Sequence, residues 1–197
     1  MTTPRPSTIG DDLLPRGWFD AEEAAFYREE ASKIRGGLIC EIGVYLGRSL
    51  SSIAAACREN RTRLVAIDNW RGCVEIGEQK NSQLQLLDHF RANMQWLGLW
   101  DAVEPVEGDS AGAASGFADH SIDLVFIDAS HDFESVCRDA RAWWPKLKPN
   151  GVLMGHDYYP AVWPGLVSAV NHLFTGPDRV RGTVWKVGKN AESRLRA

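Results

Sequence analysis

The stretch Leu38-Ile-Cys-Glu-Ile-Gly-Val-Tyr-Leu-Gly47 is an apolar run broken by one glutamate and closed by two glycines. Leu38 to Ile42 has the composition of a strand buried on both faces, and the glycines let the backbone turn where a Cβ would collide with a ligand. A second apolar run, Leu64 to Ile67, ends on Asp68, twenty-one residues after Gly47. A carboxylate at the tip of the next strand can accept hydrogen bonds from both hydroxyls of a ribose. The pairing points to an adenosine-bearing ligand.

The spacing Glu41-x-Gly43-x-x-x-Gly47 differs from the dinucleotide pattern G-x-G-x-x-G, which needs its second glycine where this chain has Tyr45 and Val44. A pyrophosphate is therefore disfavoured. A cofactor without phosphate, whose cationic amino-acid end sits near Glu41, fits the loop better, and S-adenosylmethionine meets both conditions. A turn shaped by Gly43 and Gly47 for local reasons alone stays open at this point.

With 197 residues the chain has the length of one domain with a three-layer core. Its net charge of −4 with interspersed signs leaves no basic stripe for a nucleic-acid backbone. Cys40, Cys57, Cys73 and Cys137 form no C-x-x-C pair, and no apolar leader opens the sequence, so reduced thiols in a cytoplasmic protein are expected. The apolar runs are too short to span a membrane.

Residues 1–15 hold three prolines and read as a loose arm, after which Asp20-Ala-Glu-Glu23 is a capping box for a helix reaching about Ile34. Short apolar runs follow at Leu38 to Ile42, Leu64 to Ile67, Val103 to Val106, Ile122 to Ile127 and Val152 to Met154. Between and after them lie helices expected at Arg48 to Arg58, Ser82 to Leu97, Ser110 to Phe117, Phe133 to Leu147 and Pro164 to Phe174. Lys148-Pro-Asn-Gly151 reads as a turn feeding the fifth strand. Arg179 to Arg181 and Thr183 to Val187, separated by Gly182, form a hairpin. The fold class is thus α/β, a Rossmann-like doubly wound sheet of five parallel strands plus a C-terminal antiparallel pair. The expected organisation is an arm and helix over 1–35 and a second unit over 36–197.

In open α/β sheets ligands sit beyond the carboxyl ends of the strands. Every such end here carries an acid or an imidazole: Glu41, Asp68, Asp109, Asp128 with His131, and His156 with Asp157. One acid alone is ordinary surface. Five successive strands ending this way argue for a site.

At this point the chain resembles the class I S-adenosylmethionine-dependent methyltransferases. The resemblance rests on Ile39-Cys-Glu-Ile-Gly-Val-Tyr-Leu-Gly-Arg-Ser49, Val65-Ala-Ile-Asp68, Gly108-Asp-Ser110, Asp123-Leu-Val-Phe-Ile-Asp-Ala-Ser-His131 and Trp144-Pro-Lys-Leu-Lys-Pro-Asn-Gly-Val-Leu-Met-Gly-His-Asp-Tyr158. These segments look like the small-molecule branch that holds macrolide-sugar and catechol O-methyltransferases. The resemblance implies strand order 3-2-1-4-5-7-6. It also implies that Glu41 holds the cofactor ammonium with backbone at Gly43 beside it, that Asp68 takes the ribose hydroxyls, and that Asp109 and Ser110 meet the adenine. Gly47, Ser49, Asn69 and Asp128 complete the implied cofactor contacts. Asp109 reads equally as the N-cap of the helix that follows it.

The catechol-type pattern further implies a Mg2+ or Mn2+ ion on Asp128 and Asp157 and a general base at His131. This chain departs from that pattern in reading His156-Asp157-Tyr158, so the third metal ligand is open, with His156 as a candidate. Asp132 reads as the N-cap of the helix at Phe133. The insertion from Asn69 to Asn81 overhangs the same rim, and Trp70 and Tyr159 are candidate flat walls for a substrate. Trp143 and Trp144 read as core or as a surface for self-association. The implied partner is a small hydroxylated acceptor. Two other readings remain at this level: a nicotinamide-dependent oxidoreductase, and a non-catalytic nucleotide-binding module.

Overall fold

The computed structural model describes residues 13–72, 85–190 and 195–196. A seven-stranded sheet has the order β3-β2-β1-β4-β5-β7-β6. Its strands are β1 (Leu38–Ile42), β2 (Arg63–Asp68), β3 (Glu104–Glu107), β4 (Ile122–Ile127), β5 (Leu147–Gly155), β6 (Arg179–Arg181) and β7 (Val184–Gly188). The first five pair in parallel, and β7 runs antiparallel to both β5 and β6. The order reverses between β1 and β4, which leaves a crevice at their carboxyl ends.

The helices are α1 (Ala21–Ala31), α2 (Arg48–Glu59), α3 (Leu86–Trp96), α4 (Ser110–Ala113), α5 (Phe133–Trp143) and α6 (Pro164–Phe174). Side chains alternate across a strand. Ile39, Leu64, Ala66, Leu124 and Phe126 therefore join one core with α1, α2 and α3, while Cys40, Ile42, Val65, Ile67, Val125 and Ile127 join the other with α5 and α6. Glu41 and Asp68 share the parity of the first set. Both carboxylates thus point toward the α1–α2 side of the sheet.

α1 opens with the capping box read from the sequence, Asp20 and Glu23 each accepting from the other's amide. It packs on α2 and against β6 and β7. Trp143 is wholly buried and Trp144 nearly so, which settles both as core. No helix among the described residues is long and apolar enough to cross a membrane.

Of the boundaries that differ from the sequence reading, three bear on how the chain is connected. The helix beginning at Phe133 loses α geometry after Trp143, because Pro145 cannot supply an amide; a 3-10 turn over Trp144–Lys146 follows, and Leu147 already belongs to β5. Lys148–Gly151 does turn, but inside β5: Ile122 faces Leu147 and Leu124 faces Val152, so the four residues form a bulge with Asn150 at φ +67°. α3 starts at Leu86, and residues 82–84 of the expected helix lie outside the described residues. So do Cys73 and most of the 69–81 insertion.

Candidate active site

Beyond β1 the chain makes a loop that only glycine can build. Gly43 has φ +82°, and a Cβ on it would run into the carbonyl oxygen of Asp128. Gly47 has φ +88°, and a Cβ there would lie 2.7 Å from Cε of Met94. Between them, the amides of Val44 and Tyr45 donate to Oδ2 of Asp68 at 2.7 and 2.8 Å, while the Trp70 amide donates to its Oδ1 at 2.7 Å. The acid at the tip of β2 therefore sets the loop after β1, and about one carboxylate acceptor position stays available.

Glu41 is fully buried below this loop. Its Oε1 accepts from Ser49 Oγ at 2.6 Å; its Oε2 has no hydrogen bond of good geometry among the described residues, although the buried Tyr27 hydroxyl is close enough to pull its pKa down. Burial pushes its pKa up to about 8, against the pull of the Ser49 hydrogen bond, and the negative charges of Asp128 and Asp68 push it the same way. A buried carboxyl with one oxygen so poorly bonded needs a donor or a cation to complete it. The ammonium of S-adenosylmethionine has that chemistry.

The second half of the site lies past β4 and β5. Nε2 of His131 is 3.0 Å from Oδ2 of Asp157, and its ring stacks on Trp163 with centroids 4.0 Å apart. Asp128, His131 and Asp157 bring one donor atom each within 4.8 Å of one another. Burial would raise the Asp157 pKa, but His131 and His156 hold it well below the usual carboxylate range. Asp132 is the N-cap of α5, accepting from the Ser135 amide.

His156 stands behind this cluster. Nδ1 is 3.2 Å from Asp157 and 3.5 Å from Asp128, while Nε2 is 3.2 Å from Glu23. Burial works against its charge, yet the three surrounding carboxylates push its pKa up to about 12. Among the described residues Asp128, His131 and Asp157 bring their donor atoms together, and His156, the candidate third ligand, stands behind them in contact with both carboxylates.

A cavity of about 700 Å³ joins the two halves. Gly43, Ser49, Asp68, Asn69, Asp128, His131, His156 and Asp157 all contribute to its wall. Glu41 lies behind the wall, bonded to Ser49. Asp109 and Ser110 are not in the wall; Asp109 caps α4 through the Gly112 amide at 2.9 Å, as the N-cap reading expects. Trp70 is also absent from it, because its ring stacks on Phe90 and its Nε1 donates to the Tyr45 carbonyl. Tyr159 does line the cavity.

The sequence reading missed the contribution of the N-terminal segment. Arg48 at the start of α2 donates to the carbonyls of Phe19 and Pro15 at 2.7 and 3.0 Å, which holds Arg16 to Phe19 over the cavity. Trp18, 66% exposed, lies near Tyr45, and Phe19 meets the ring of His156 edge-on. Trp163 was missed as well. These contacts bridge distant parts of the chain, and no local pattern announces them.

Comparison with known proteins agrees with this geometry. Residues 40–158 match the family model described as a methyltransferase domain. A curated relative, the uncharacterized protein y4gI of Sinorhizobium fredii, is 27% identical over 127 residues, which is 63% of this chain but 13% of that protein. The chain thus spans only a small part of that relative's length. Among solved structures, the cofactor-bound protein Rv0187 from MTB superposes with a TM-score of 0.64 at 22% identity, covering 81% of this chain and 71% of the other. A SAM-dependent O-methyltransferase from Thermotoga maritima gives 0.65 at 14% identity, covering 95% and 72%. A calicheamicin methyltransferase gives 0.64 at 17% identity, covering 84% and 76%. The structural likenesses establish the fold, and the family model, which matches more than half of the chain, establishes the family: the chain belongs to the methyltransferase domain family.

Proposed function

We propose that the protein moves the methyl group of S-adenosylmethionine to a hydroxyl oxygen of a small molecule, with a divalent cation assisting at Asp128 and Asp157. The observation that carries this reading is the convergence of Asp128, His131 and Asp157 at one end of a cavity whose other end is the Gly43 loop. The sulfonium cofactor supplies an electrophilic methyl. Glu41, behind the wall and bonded to Ser49, holds the ammonium end directly or through water. Asp68 orients the ribose while keeping the loop in register.

His131 takes the hydroxyl proton. Nε2, 3.0 Å from the Asp157 carboxylate, carries the ring proton of the neutral imidazole, so the hydroxyl proton goes to Nδ1 and Asp157 stabilises the imidazolium that results as the oxygen becomes a better nucleophile. Trp163 fixes the plane of that ring by stacking. Two carboxylates suit Mg2+ or Mn2+ with water completing the shell. When bound, such an ion lowers the pKa of a hydroxyl that it touches.

The reading is tested by incubating the protein with S-adenosylmethionine labelled in the methyl group and a panel of phenols, catechols and sugars. Label appearing as an O-methyl group on one class supports it. Label on nitrogen or carbon only, or on none of the panel, counts against it.

A further inference from the structure

Glu23 is the third helical residue of α1, far in sequence from every strand end, yet it is buried. Its Oε1 accepts from the amide and hydroxyl of Thr183 at 3.0 and 2.7 Å. Its Oε2 accepts from the Asp20 amide at 3.0 Å and lies 3.2 Å from Nε2 of His156. A Cβ on Gly182 would sit 2.7 Å from Cγ of Glu23, so the hairpin turn has room for this carboxylate because it carries glycine there.

A capping box alone does not need this burial. Its glutamate only has to reach the N-cap amide, which a solvent-exposed side chain does, and a cap returns about 1 kcal/mol. Taking a carboxylate out of water costs several kcal/mol unless partners replace the solvent. The partners here come from three separate elements, and one of them reaches the reacting cluster. His156 Nε2 is buried with no hydrogen bond of good geometry, and Glu23 Oε2 is the carboxylate within reach of it. On the other side of the ring, Nδ1 faces Asp157 and Asp128.

We infer that Glu23 is a positioning residue of the methyl-transfer site: it clamps Nε2 of His156, so that Nδ1 is aimed at Asp128 and Asp157 and holds those two carboxylates in place. A ring tied at one nitrogen swings about its χ2 axis; tied at both it does not. α1 thereby becomes part of the site without touching substrate. The activity readout of this inference rests on the proposed function, whereas the clamp itself is tested without any acceptor.

The test compares the full chain with Glu23→Gln, both labelled with 15N-histidine and examined without ligand. The wild type is expected to show a proton on Nε2 of His156 that exchanges slowly with solvent, and in Glu23→Gln its exchange is expected to be at least tenfold faster. In turnover assays, Glu23→Gln is expected to lower kcat 10- to 100-fold, the usual cost of removing a partner that orients a functional histidine, with the Kd for S-adenosylmethionine unchanged within twofold. In a His156→Gln background the same substitution is expected to change kcat less than threefold, since it acts through that ring. Arg179→Ala, which removes an ion pair between Glu29 and the hairpin, is expected to leave kcat within twofold and so controls for docking of α1.

A fast-exchanging His156 proton in the wild type overturns the clamp even if Glu23→Gln fails to fold. Equal losses of kcat with and without His156 also overturn it, leaving a merely structural glutamate. A protected proton in a wild type that methylates nothing sustains the clamp and condemns the proposed function instead.

Discussion

Asp68 and Tyr45 are joined by a 2.8 Å hydrogen bond from the tyrosine amide to the aspartate Oδ2, and that oxygen also accepts from Val44 at 2.7 Å. One carboxylate thus shapes the glycine loop and faces the cavity. Asp68→Asn replaces charge-assisted bonds, worth about 1.5–3 kcal/mol each, by neutral ones. The expected result is a loss of S-adenosylmethionine affinity of roughly 10- to 100-fold by calorimetry, with a melting temperature lower by roughly 5 °C for a chain of this size. Unchanged affinity would remove the ribose role from Asp68.

Glu41 links the cofactor to pH. Its folded pKa, about 8, lies above the ordinary 4.5, so the folded protein keeps a proton that the unfolded chain releases between those values. Stability of the ligand-free protein from this group is therefore full below pH 4.5 and declines as pH rises toward 8. An ammonium brought against Glu41 favours its ionised form, so cofactor binding near pH 7 is expected to expel a proton from it. Calorimetry in buffers of different ionisation enthalpy measures the number of protons released, and Glu41→Gln should reduce that number by close to one. An identical count in both proteins would contradict the assignment.

His131→Ala should lower kcat by roughly 100-fold or more, the scale of lost general-base catalysis, while the Kd for S-adenosylmethionine stays within a few-fold. Turnover that survives the substitution would strip His131 of the base role.

Chelation separates the cation from the rest of the site. With EDTA, turnover should disappear and return on adding Mg2+ or Mn2+, while S-adenosylhomocysteine binding persists. Full activity in EDTA would show that Asp128 and Asp157, with His156 between them, work without an ion.

Gly43→Ala should destabilise the fold as well as the site, because at φ +82° the new Cβ meets the Asp128 carbonyl, which belongs to backbone and cannot rotate away. A cost of roughly 1–3 kcal/mol is expected for the strained conformation alone, read from the urea midpoint. A midpoint equal to wild type would mean that the loop has another conformation.

The centre of the sheet was legible because β1, β2, β4 and the second half of β5 are short apolar runs, whereas β3 is Glu-Pro-Val-Glu and exposed; α6 was legible because Pro164 marks its first turn. Gly182 made the hairpin plain for the same reason: one glycine leaves no length for a crossover. The bulge in β5 was not legible, since Lys148 to Gly151 has turn chemistry and only the hydrogen bonds exchanged between Gly151, Asn150 and Lys189 reveal that strand pairing continues through it. The strand-tip acids were readable from position alone, whereas the surroundings of His156 were not. Its carboxylate neighbour Glu23 lies 133 residues earlier, in a capping box that accounts for it completely as a local feature. Trp70 misled in the opposite way, its place beside Asp68 suggesting a substrate wall while Phe90, supplied by α3, gives it a buried partner.

The central claim is that the tips of β1, β2, β4 and β5 enclose a sulfonium nucleoside, and titration of the full chain with S-adenosylmethionine and, separately, with NAD tests it most directly. Saturable heat at one site with S-adenosylmethionine, weakened by Asp68→Asn, and none with NAD is the expected result. Heat with NAD alone, or with neither ligand, would contradict the account.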